Sequence, residues 1–289
     1  MSPTAYLGAL FELTKPRILL LVLITAFSGM WIGAGGAPEL GLTFFTLLGV
    51  GLAAASSSAL NNYIDRERDK LMARTSRRAL PSNRVKPIYA LALGLTLAVL
   101  SFALLVWQVN LLTAAIALGT ICFYVGVYTL WLKPTTPHCT VLGGIAGALP
   151  PVMGLAAVGE MGWAAVILFS ILFIWQPPHF WALALVRAEE YRKAGFKILP
   201  VVDGMEETKR QMLTYTIFLI PVSLAPYALN LAGPWYLATA IAMGSIYLVW
   251  TWRFVRGAFC PRSSRKLFFF SILYLTVVYT MLFVDCVKG

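Results

Sequence analysis

Nine long, predominantly apolar stretches recur along the chain, at about 18–36, 40–62, 88–107, 110–131, 139–158, 163–185, 212–231, 234–254 and 267–285. A helix needs roughly 20 such residues to cross the hydrocarbon core of a bilayer. In lipid every backbone polar group must be satisfied internally, which restricts a spanning chain to helices or a closed barrel. The runs are continuous rather than alternating, so the expectation is an all-α integral membrane protein with nine transmembrane helices. Composition agrees: 59% of residues are apolar, only 12% are charged, and the mean hydropathy is +0.77. Gly33–Ala37 has the small residues of a signal-peptide cleavage site. The apolar run before it is too long for that role, and further spans follow.

If the nine stretches alternate in direction, 22 of the 23 Lys and Arg fall on one face and Lys288 alone on the other. Short basic loops stay in the cytoplasm. The amino terminus is therefore expected inside, and the net charge of +11 reports topology rather than nucleic-acid binding. No low-complexity segment or soluble domain interrupts the spans, so residues 1–289 read as a single polytopic domain. Cys122, Cys139, Cys260 and Cys286 are scattered singly, with no metal or disulfide spacing.

Chemistry is expected at the inner loops, because the outer ones carry little beyond Glu39 and Glu160. The loops at 63–87 and 186–211 mix acids with bases. Asn61, Asp65 and Asp69 recur every four residues and fall on one helix face. A column of a carboxamide and two carboxylates suits a hard cation such as Mg²⁺, which takes oxygen ligands and substrate phosphates. Arg74, Arg77 and Arg78 follow and suit phosphate oxygens. On spacing alone, a solvated helix end pairing with Arg66, Arg68 and Lys70 is an equal reading; the polar Asn61 inside the apolar stretch favours a site. Glu190 is a candidate further carboxylate. The equivalent positions of the two loops, four spans apart, hint at a duplicated four-helix unit. Tyr124, Tyr128 and Lys133 end the fourth span, where interfacial anchoring is the ordinary role of such residues. Gly143–Ala148 and Pro150-Pro151 suit close helix packing as well as a ligand. His179 follows Pro177-Pro178 inside the sixth span, either bonded to a neighbour or facing a ligand.

The stretch Asn61-Asn-Tyr-Ile-Asp-Arg-Glu-Arg-Asp69 contains the N-x-x-x-D-x-x-x-D motif of the UbiA-type intramembrane prenyltransferases, which the chain resembles from about residue 14 to 286. Thr14-Lys-Pro-Arg17, Tyr128-Thr-Leu-Trp-Leu-Lys133, Gly143-Gly-Ile-Ala-Gly-Ala-Leu-Pro-Pro151 and Trp175-Gln-Pro-Pro-His-Phe-Trp181 resemble the haem O synthase (protoheme IX farnesyltransferase) branch, as does Glu190-Tyr-Arg-Lys-Ala-Gly195. Glu190 stands where that branch usually has an Asp before Tyr191, Ala79 where Pro often follows, and Pro134 where a second base often follows.

The resemblance implies a UbiA-like bundle with farnesyl diphosphate and haem B as substrates and haem O as product; without an amphipathic transit segment, a bacterial inner membrane is the expected location. It implies Mg²⁺ on Asn61, Asp65, Asp69 and Glu190. It further implies substrate contacts from Arg74, Arg77, Arg78, Tyr128, Lys133, His179 and Tyr191. Haem A synthase or oxidase-assembly proteins are candidate partners. A quinone-ring prenyltransferase is the nearest alternative. A transporter is the alternative of another class, and the near absence of polar residues on the outer face argues against it.

Overall fold

The computed structural model describes residues 2–287, so Lys288 lies outside the described residues. The helices are α1 (Pro3–Leu13), α2 (Pro16–Gly33), α3 (Leu40–Asp69), α4 (Pro87–Gln108), α5 (Leu111–Cys122), a π-helix (Phe123–Leu132), α6 (Lys133–Thr135), α7 (Cys139–Ala148), α8 (Pro150–Ala157), α9 (Gly162–Val186), α10 (Ala188–Lys193), α11 (Leu199–Val202), α12 (Gly204–Ala228), α13 (Pro234–Arg256) and α14 (Pro261–Val284). Many starts carry a proline in the first turn, where its missing N–H costs nothing. Among the described residues, seven segments are long and apolar enough to cross a membrane. They are α2, α3, α4, α5 with the π-helix and α6, α7 with α8, α9, and α14. The two other expected stretches are also helical, as α12 and α13, but do not meet that measure.

Neighbouring helices close a ring. The ring runs α2–α3–α4–α5, then α7 and α8 against α9, then α12, α13 and α14, which packs back on α2. One apolar core lies among α2, α3, α4, α5 and α8, and a second among α9, α12, α13 and α14.

Lipid offers little hydrophobic drive between helices, so close backbone approach and interhelical hydrogen bonds hold them. Helices α3 and α4 are stitched both ways: Ser56 donates to the Gly94 carbonyl (2.7 Å) and Ser101 to the Gly49 carbonyl (2.7 Å). Helices α2 and α8 touch backbone to backbone. A Cβ on Gly154 would lie 2.0 Å from the Ala26 carbonyl oxygen, and one on Gly29 2.1 Å from that of Pro151.

Contacts between loops define two ends. At one end the Glu12 carboxylate accepts from Arg84 (2.6 Å), Lys133 pairs with Asp65, and Lys209 donates to the Gly257 carbonyl (3.3 Å). The Arg74 amide faces the Glu190 carboxylate there, and Ser264 donates to the Ala182 carbonyl (2.6 Å). At the other end Asn110 donates to the Ala156 carbonyl (2.8 Å) and Gly233 to that of Asp285 (2.8 Å). Helices α12 and α13 run between these same two ends.

Candidate active site

The acidic column lies on the last turns of α3. Asn61, Asp65 and Asp69 are all buried, with Asp65 only 2% exposed. They are not a solvated helix end. Arg66 and Lys70 pair with Glu67 instead, and the Arg68 guanidinium lies 5.2 Å from the Phe196 ring centroid.

The partners of the column come from elsewhere. Asp69 pairs with Arg78 (2.9 Å) and Asp65 with Lys133. Asn61 donates through Nδ2 to Asp65 (2.9 Å) and to the Thr129 hydroxyl (3.2 Å), and its Oδ1 accepts from Lys15 (3.1 Å). The other oxygen of Asp65, Oδ1, is buried with no hydrogen-bond partner.

Local backbone explains how these groups arrive. The π-helix has a wider turn than an α-helix, and such segments frequently mark functional sites. Its five-residue spacing lets the Thr129 hydroxyl donate to the Tyr124 carbonyl (2.8 Å) and the Lys133 amide to that of Tyr128. Thr129 and Lys133 thereby both reach the column. The Tyr124 and Tyr128 rings pack at 5.1 Å, and Gly143 leaves room for Tyr128: a Cβ there would lie 2.2 Å from that ring.

Lys15 joins α1 to α2 in the left-handed region (φ 52°, ψ 60°), strained for a residue with a Cβ. Burial, with Arg78 and Lys133 nearby, pushes its ammonium down to about 7 against the opposing pull of Asp65 and Asp69. A cavity of about 490 Å³ opens beside it, lined by Lys15, Arg17, Asn62, Arg74 and Arg78 among others, with Glu12 its one acid. Four cations around one carboxylate suit an anion.

The second loop meets the first here. The Arg74 amide donates to the Glu190 carboxylate at 3.5 Å, a long contact. Tyr191 packs with Phe196 (6.0 Å), and both share an apolar cluster with Met72 and Tyr128. Arg77 is exposed and takes part through its backbone carbonyl, which accepts from Arg84. His179 is held away from the column, stacked between Trp175 (4.3 Å) and Phe268 (4.5 Å), with Nδ1 2.6 Å from the Ser271 hydroxyl. Sequence reasoning did not select Lys15, Asn62, Thr129 or Phe196. The one local signal was a Lys-Pro pair opening the first span.

The UbiA prenyltransferase family model matches residues 22–273. The chain belongs to the UbiA prenyltransferase family. It is similar to the protoheme IX farnesyltransferase of Gloeobacter violaceus, 47% identical over 98% of this chain and 93% of that protein. The protoheme IX farnesyltransferase of Aquifex aeolicus is 47% identical, over 96% of this chain and 94% of that one. Among solved structures, a digeranylgeranylglyceryl phosphate synthase superposes with a TM-score of 0.81 at 18% identity, covering 99% of this chain and 100% of that one. A UbiA homologue from Archaeoglobus fulgidus bound to DMAPP and Mg²⁺ gives 0.62 at 18% identity, covering 94% and 98%. These two likenesses speak for the fold. It is that of a multi-pass membrane protein with an all-helical bundle.

Proposed function

We propose that the protein transfers the farnesyl group of farnesyl diphosphate to a vinyl group of haem B, releasing pyrophosphate and forming haem O. The observation that carries the chemistry is the buried column Asn61–Asp65–Asp69 set against the cationic cavity. The names of the relatives carry the acceptor.

The residues fit a divalent cation. Asp65 Oδ1 is a buried oxygen without a partner, and Asn61, Asp65 and Asp69 bring the carbonyl and carboxylate oxygens that a hard cation takes. We assign Mg²⁺ to Asn61, Asp65 and Asp69, with Glu190 as a further carboxylate. When bound, the ion supplies positive charge to the diphosphate oxygens. Arg74 and Arg78 in the cavity, with Arg77 beside them and Lys133 on the column, take the remaining phosphate charge. They stabilise it as the bond from oxygen to the allylic carbon breaks. We assign Tyr128 and Tyr191 to the allylic end, where an aromatic ring stabilises a developing cation. The vinyl carbon then attacks that cation, and water adds to the adjacent carbon and gives up a proton, leaving a hydroxyethylfarnesyl group. The tail gains about 0.8 kcal/mol per buried CH₂, which favours keeping the donor's chain within the bundle and its diphosphate at the charged end.

His179 belongs to the acceptor side of this reading. Ser271 gives its own proton to the Phe268 carbonyl (2.6 Å) and so accepts from His179 Nδ1. That leaves Nε2 carrying the lone pair with which an imidazole binds iron. Arg78→Met is expected to raise KM for farnesyl diphosphate roughly tenfold or more, the worth of a charged hydrogen bond, with little change for haem. His179→Ala is expected to do the reverse. A variant that moves both constants equally contradicts the division.

We also read the bundle as nine crossings, with the amino terminus and the basic loops in the cytoplasm of a bacterial cell. Helices α12 and α13 join the same two ends as the other helices, and exposed Trp107, Trp163 and Trp235 mark the end away from the cations. In a background lacking the native cysteines, Ser82→Cys should react with an impermeant maleimide from the cytoplasmic side alone. Labelling from outside reverses the orientation.

Pyrophosphate release tests the acceptor. The reading expects release from farnesyl diphosphate to depend on haem B and not on an aromatic quinone precursor. The opposite dependence moves the protein to another branch of the family.

A further inference from the structure

Every side-chain oxygen of the column that has a partner outside α3 is held by one of the protein's own basic side chains. Lys133 holds Asp65, Arg78 holds Asp69, and Lys15 holds the Asn61 carbonyl. Among the described residues, no group of three His, Cys, Asp or Glu side chains stands ready to bind a metal ion. Two carboxylates lie against Lys133 and Arg78, with Lys15 on the carbonyl beside them, so the column has no negative charge left free for a lone divalent ion.

Two features show that this pairing is built. Lys15 reaches Asn61 from a left-handed backbone (φ 52°) that a residue with a Cβ rarely adopts. Thr129 gives its proton to the Tyr124 carbonyl, so its oxygen can only accept from Asn61. That fixes the carboxamide with Nδ2 toward Thr129 and Asp65, and turns Oδ1 toward Lys15.

Lys15 and Arg78 also line the 490 Å³ cavity, with Arg17 and Arg74. An anion in that cavity and the acidic column therefore compete for the same side chains. We propose that Lys15, Lys133 and Arg78 act as built-in counter-ions that block the cation site until a diphosphate draws them away, so that metal and diphosphate bind interdependently. This rests on the prenyl diphosphate reading above. Lys15 is a positioning residue in this scheme: it sets the order of binding and forms no bond to the reacting carbons.

The test is equilibrium dialysis of Mn²⁺ against the detergent-purified full-length protein, with and without inorganic pyrophosphate. Metal held by pyrophosphate alone is subtracted from a protein-free chamber. Wild type should retain Mn²⁺ roughly tenfold or more tightly with pyrophosphate present, within the usual range of coupling between two sites. Lys15→Met and Lys133→Met should each tighten Mn²⁺ retention about tenfold in its absence, a gain that a misfolded variant would not show. Equal retention by wild type with and without pyrophosphate overturns the inference and leaves the cation assignment standing. Methionine variants that bind no better than wild type overturn it as well. Retention under neither condition overturns both the inference and the cation assignment.

Discussion

Asp65→Asn is expected to abolish turnover, by roughly a thousandfold or more, in a protein that still purifies as a monodisperse bundle. The carboxylate is the most buried acid of the column, and one of its oxygens has no partner. A metal ion polarising the phosphoryl oxygens of a leaving diphosphate supplies several kcal/mol, and each 1.36 kcal/mol is about tenfold in rate. The amide is isosteric and keeps an oxygen for Lys133 and for the Asn61 Nδ2. The loss should therefore be of charge rather than of packing. Single-turnover rates together with size-exclusion profiles check it; turnover near wild type in a folded variant would remove Asp65 from the chemistry.

Gly154→Val is expected to have the largest effect on stability. The α2–α8 contact is reciprocal, with Gly154 against the Ala26 carbonyl and Gly29 against that of Pro151. A Cβ at 2.0 Å from a backbone oxygen finds no flexible side chain to displace. The helices must separate, and overpacking of this kind costs about 1–3 kcal/mol even for small groups. Thermal unfolding in detergent should show a drop of several degrees for Gly154→Ala and a larger one for Gly154→Val. Gly119→Ala, where a Cβ meets nothing within 4 Å, is the control that should leave it unchanged. Equal behaviour of the three would mean that the two backbones are not in contact.

Much of this was written in the sequence, for identifiable reasons. The apolar runs gave the helix positions because lipid leaves a spanning chain few alternatives. Seven segments qualify as spans by length and apolarity, whereas α12 and α13 intersperse Tyr, Thr and Pro, with Trp in α13, among their apolar residues and fall short. The column was legible because a four-residue repeat is a property of one helix.

Its partners were not. Lys15 lies 46 residues and Thr129 68 residues from Asn61, and periodicity carries no information about such pairings. The π-helix added a second obstacle, since it shifts Thr129 and Lys133 off the face that an α-helix would give them. Glu67 hid a third point. It takes Arg66 and Lys70, the bases that spacing alone would have paired with the aspartates. For His179 the sequence left a bonded neighbour and a ligand both open, because neither Ser271, which lies 92 residues away, nor the stacking of Trp175 and Phe268 is visible in it.

The most direct test is the mass of the haem after incubation of purified protein with haem B, farnesyl diphosphate and Mg²⁺, with and without a chelator. The account predicts a haem heavier by one farnesyl group and one hydroxyl, formed with pyrophosphate, and lost on chelation or in Asp65→Asn. Unmodified haem B from demonstrably folded protein would contradict it.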